Sequence, residues 1–109
     1  MSIPKHGKPV RGSRTGRPVM ALLDLLGRRM ALRILWELSR ADAPLTFRAL
    51  QSAADTNPAL LNSRLKEFRA ATLVVHCGDG YSLSEQGKAL LLLLHPVVDW
   101  ANQWVPGSK

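Results

Sequence analysis

A chain of 109 residues, 46% hydrophobic and 21% charged with a net charge of +7, is of single-domain size and is not composed like a wholly disordered protein. Its one cysteine, Cys77, cannot form an intramolecular disulfide, which points to a reducing cytoplasm. The apolar segment 89–98 is about half of the ~20 residues that span a bilayer, and the run "VMALLDLLG" is cut by Asp24 and followed by Arg28-Arg29, unlike a secretory signal. No membrane segment is expected.

Residues 1–17, "MSIPKHGKPVRGSRTGR", are rich in Gly, Pro, Ser and basic residues without any apolar period, so they read as an extended or disordered basic arm. Lys5, Lys8, Arg11, Arg14 and Arg17 place five positive charges there against no acid, leaving +2 of the +7 for the rest of the chain. Such an arm is either a solubilising terminus or a nucleic-acid-binding element. The ordered domain is expected over 18–104, with 105–109 as a tail. Pro18 suits the first turn of a helix ending near Leu26, with Gly27 as its stop. A second helix is expected over 28–40, with Ala31, Ile34, Leu35 and Leu38 on its core face; Leu32 and Trp36 fall beside that face and need other cover.

Pro44 breaks the chain, and Thr46 can cap a third helix in which Phe47, Leu50 and Ala54 share a face, ending near Asp55. Asn57 as cap and Pro58 at the first helical position open a fourth helix, with Leu61, Leu65 and Phe68 at i, i+4 and i+7. Two short helices, the second entered by a cap and a proline, have the layout of a helix-turn-helix. "LVVHC" and "YSL", joined by Gly78-Asp79-Gly80, predict a two-stranded hairpin. Ser84 then caps the last helix, with Glu85 in its first turn.

That helix carries Leu90 to Leu94, five successive residues covering about 500°, so one core cannot receive them all. Val97, Val98, Trp100 and Trp104 extend the apolar surface, and Pro96 is expected to bend it. Either the first helix covers the excess within one chain, or a second copy does. Catalysis finds no support: His6, His76 and His95 are dispersed, and no Ser-His-acid, metal-ligand or phosphate-loop pattern occurs. No catalytic residue, metal site or cofactor is expected.

In this order the elements resemble the HxlR-type winged helix-turn-helix transcriptional regulators, relatives of the MarR group, over about residues 17–104. "RPVMALLDLLG" is similar to the family's Cys-Pro-Val and later Leu-Asp-x-Leu-Gly, and "ALRILWEL" to its second helix. "FRAL" is similar to its Phe-Ser-Glu-Leu, "NPALLNSRLKEF" to its recognition helix and "YSLSEQGKAL" to Tyr-x-Leu-Thr-x-x-Gly. Arg17 stands where many members have a cysteine, the hairpin is short, and Met30 replaces a common tryptophan, so the family's thiol-based sensing is not carried over.

The resemblance implies a mainly α fold with a small β-hairpin wing, and a cytoplasmic homodimer acting on double-stranded DNA. On the face of the fourth helix opposite Leu61, Leu65 and Phe68 stand Ala59, Ser63 and Lys66, with Asn62 and Glu67 flanking. Asn62, Ser63 and Lys66 can hydrogen-bond bases or phosphates, and Ala59 allows close approach. Asn57, at the helix start, joins these as a candidate contact. Arg64 and Arg69 lie nearer the flanks, suited to phosphate contact or to a local salt bridge. Lys5, Lys8, Arg11 and Arg14 are the arm's candidates. The family's first and last helices pair between subunits, which implies an interface of Leu32, Trp36, Leu91, Leu94, Val98, Trp100 and Trp104. Repression is expected, because so small a dimer leaves little surface for recruiting a polymerase. The alternative is a winged-helix module that binds protein or RNA without reading DNA.

Overall fold

The computed structural model describes residues 17–104. Its elements run α1 (Pro18–Leu26), α2 (Ala31–Arg40), β1 (Leu45–Thr46), α3 (Phe47–Ala54), α4 (Pro58–Ala70), β2 (Val74–Cys77), β3 (Gly80–Leu83) and α5 (Glu85–Trp104). This is a mainly helical winged helix-turn-helix with one small antiparallel sheet.

Local chemistry sets three of the helix starts. Thr46 Oγ1 accepts from the Ala49 amide at 3.1 Å and Asn57 Oδ1 from the Leu60 amide at 2.8 Å, each satisfying a donor that the first helical turn leaves open. Ser84 Oγ does the same for the Gly87 amide at 3.0 Å. Asp55 closes α3 in the left-handed region, at φ 55°.

α2 is the central beam. Ile34 and Leu35 are fully buried, and the helix packs on α3, β3 and α5. Leu50 and Ala54 of α3, Leu61, Leu65 and Phe68 of α4, Leu73, Val74 and Leu83 around the hairpin, and Leu91 of α5 complete one continuous core with it. α1 contributes no buried residue and packs mainly on α2.

Two expectations are corrected. The second helix begins at Ala31 rather than Arg28, because Met30 adopts a left-handed conformation at φ 67° and residues 27–30 form a turn. The wing is three-stranded, in order β1-β3-β2: Leu45 pairs with Tyr81 and Thr46 with Gly80, beside the β2–β3 ladder from Val74–Leu83 to Cys77–Gly80. Gly80 therefore lies inside a strand, and the turn itself is Gly78-Asp79, with Gly78 at φ 59°. α5 is continuous through Pro96. The carbonyl of Leu92, deprived of its i+4 donor, lies on the exposed side of the helix, where water can replace the bond.

Gly87 has a specific cause in the packing. A Cβ there would run into the backbone carbonyl of Leu73, which also accepts the Ser84 amide at 2.9 Å, so the first turn of α5 lies directly on the segment leaving α4. Gly87→Ala is expected to lower stability by about 1–3 kcal/mol, because backbone rather than a movable side chain must give way. Urea denaturation measures this, and an unchanged midpoint would refute the packing argument.

Candidate nucleic-acid interface

α4 follows α3 after the three residues 55–57, and its two flanks are unlike. At 100° per residue from Leu61, Phe68 and Leu65 stay within 40° and form the buried stripe. Ala59, Ser63 and Lys66 point away from it, and all are exposed. One flank, Asn62 and Arg69, is exposed as well. The other flank, Leu60, Arg64 and Glu67, is half-buried against the turn between α1 and α2.

On that flank Arg64 makes a local salt bridge. Its Nη1 lies 3.0 Å from Glu67 Oε1 and its Nε donates to the Arg29 carbonyl at 2.8 Å, leaving the side chain only 14% exposed. Arg64 is thus in the local salt bridge and is directed toward the protein. Arg28 joins the cluster, with Nη2 2.7 Å from Asp24 and Nη1 3.1 Å from Glu67. The hydrogen bond to Asp24, helped by Glu67 and opposed by burial, holds Arg28 above its ordinary pKa, so it stays charged. Lys66 and Arg69, by contrast, have no salt bridge among the described residues. Asn57 has its carbonyl oxygen committed to the cap, and its amide nitrogen remains as an exposed donor.

Sequence reasoning passed over Arg48. It lies about 160° around α3 from the buried Leu50, exposed and likewise without a salt bridge among the described residues. The signal was its position on the first helix of a helix-turn-helix, the one that crosses the nucleic-acid backbone. Lys5, Lys8, Arg11 and Arg14 lie outside the described residues. The wing presents no Lys or Arg: at its tip are Cys77, Gly78 and Asp79, and His76 stacks on Tyr81 with ring centroids 4.2 Å apart.

The surface expected to meet a second copy divides as well. Leu91 is 4% exposed, in the core of its own chain. Leu94 packs against the core, and Trp36 is partly covered by its own α5, its ring 6.2 Å from that of His95. Leu92 and Leu93, in contrast, are 69% and 75% exposed, so the described residues of one chain do not cover the leucine run. Leu93, Val97, Trp100 and Trp104 follow one another at spacings of four, three and four, opposite Leu91 on α5, and the Trp100 and Trp104 rings stack at 5.2 Å. Val19 and Leu23 on α1 are also exposed. No helix among the described residues is long and apolar enough to cross a membrane, and they hold no cluster of three metal-ligating side chains.

The chain matches no protein-family model and no curated protein. Among solved structures it is similar to the quinone-bound YodB from B. subtilis, at 28% identity and a TM-score of 0.71, over 78% of this chain and 96% of that one. It is also similar to a possible HxlR family transcriptional factor from Thermoplasma volcanium GSS1, at 23% identity and a TM-score of 0.71, over 81% of this chain and 84% of that one.

Proposed function

We propose that this chain, which has a winged helix-turn-helix fold and motifs that resemble those of the HxlR-type regulators, is a cytoplasmic, homodimeric, sequence-specific DNA-binding repressor. Two copies of α4 enter successive major grooves of a pseudo-palindromic site about one helical turn apart. Asn62, Ser63 and Lys66 read base edges, and Ala59 lets the helix approach closely or meets a thymine methyl. Asn57, Arg69 and Arg48 contact phosphates, and Lys5, Lys8, Arg11 and Arg14 of the arm add sequence-independent attraction. Arg64 serves from inside, holding the helix.

The observation that carries this reading is the unlike pair of flanks on α4. One side is sealed by Arg64 and Glu67 against the α1–α2 turn, whereas the polar face through Asn62, Ser63 and Lys66 is exposed. The second copy is supported by the exposed stripe on α5, whose four-three-four spacing is that of a seam between two helices.

Asn62→Ala or Ser63→Ala is expected to weaken binding to the selected operator by about 1–3 kcal/mol, with random-duplex affinity nearly intact. A titration of both duplexes at fixed salt reads the difference. Equal loss on both, or retention of duplex without sequence preference, would instead favour an interaction module.

A further inference from the structure

We propose that Glu67 is a positioning residue of the recognition helix: bridged by Arg28 to Asp24 and by Arg64 to the Arg29 backbone, it couples the attitude of the α4 polar face to the position of α1. This rests on the reading of α4 as the DNA-contacting helix and names how that helix is set. Three segments meet at one carboxylate. Arg28 spans from Asp24 on α1, at 2.7 Å, to Glu67 on α4, at 3.1 Å, while Arg64 binds both Glu67 oxygens, at 3.0 and 3.1 Å, and the Arg29 carbonyl, at 2.8 Å. Two cations face two carboxylates, so the cluster is neutral.

The surroundings give this cluster its leverage. α1 buries no side chain fully, and only Leu25 and Leu26 at its C-terminal end pack against the core, so few apolar contacts set its angle. The turn joining it to α2 passes through left-handed Met30, and the carbonyl just before that residue is the one that Arg64 holds. Arg28 Nε is buried without a partner among the described residues, a cost that sits poorly with a role in stability alone. Half-buried ion clusters add little net stability but discriminate between geometries, because removing one member leaves the others uncompensated. α1 also exposes Val19 and Leu23 on the surface expected to meet the second copy, so a partner that shifts α1 shifts α4 through Glu67.

The test uses the full chain with Glu67→Gln, which keeps the shape and removes the charge. A second variant, Arg28→Lys, keeps the charge but loses the fork that reaches both carboxylates. First, spin labels at Pro18→Cys and Ser63→Cys, in a Cys77→Ser background and diluted with unlabelled chain, read the α1–α4 distance within one chain without DNA. Both variants are expected to shift or broaden that distance while still unfolding cooperatively. Should Glu67→Gln not fold, Arg28→Lys carries the test alone. Second, in unlabelled protein the ratio of operator to random-duplex affinity is expected to fall roughly 3- to 30-fold, with random-duplex affinity unchanged. An unchanged distance distribution overturns the proposal whatever DNA does, and so does an unchanged affinity ratio beside a shifted distance. A wild-type chain with no sequence preference removes the function proposed above, and the distance measurement then still decides whether Glu67 sets the helix.

Discussion

Glutamate at both Leu93 and Trp100 is expected to turn a dimer into a folded monomer and to abolish operator binding at concentrations where the wild type saturates. Both side chains are exposed in their own chain, at 75% and 60%, on the side of α5 opposite the buried Leu91, so neither change opens the core. Together with Val97 and Trp104 they repeat with the spacing that lets two helices interlock along a seam. A central aromatic anchor is worth about 2 kcal/mol or more, and two-fold symmetry applies each substitution twice. The dimer dissociation constant should therefore rise by roughly a thousandfold, about 4 kcal/mol. DNA binding follows, because one half-site supplies only half of the contacts. Sedimentation at micromolar concentration, with urea denaturation as the control for folding, measures both effects. A wild-type chain that sediments as a monomer and still binds its operator would reject the seam.

Removal of residues 1–16 is the second large effect expected, read as a change in salt dependence. A winged helix commonly reaches the minor groove or backbone with a cation from its wing, but here the tip is Gly78-Asp79 and His76 is stacked on Tyr81. The electrostatic share then falls to other residues, and the sequence places Lys5, Lys8, Arg11 and Arg14 just ahead of α1. Each phosphate neutralised contributes about −0.9 to the slope of log K against log salt. Loss of those four charges should flatten the slope by roughly two to four units per subunit if most of them make contact. Filter binding across a salt series checks this, and unchanged affinity with an unchanged slope would make the arm a solubilising terminus only.

Much of the frame was legible along the chain because its signals are short-range. Thr46, Asn57 with Pro58, and Ser84 announce helix starts through hydrogen bonds that reach only three residues ahead. The buried stripe Leu61, Leu65 and Phe68, and with it the exposed face of Ala59, Ser63 and Lys66, follows from helical period alone. The excess of apolar surface on α5 is likewise a matter of angle, since five successive leucines cannot share one side of a helix. Other features depended on partners far away in sequence. β1 is two residues long, too short for any period, and exists because Leu45 and Thr46 pair with Tyr81 and Gly80. Period placed Arg64 on a flank but could not say whether it faced solvent or the Arg29 carbonyl, which approaches only because Met30 turns the chain left-handed. It could not separate Leu91 from Leu93 either, because that choice belongs to α2 and β3, which cover one side of α5 and leave the other exposed. Capping and periodicity are properties of neighbouring residues and so are written in the sequence, whereas the side an element buries and the partner a charge finds are set by segments that meet only when the chain has folded.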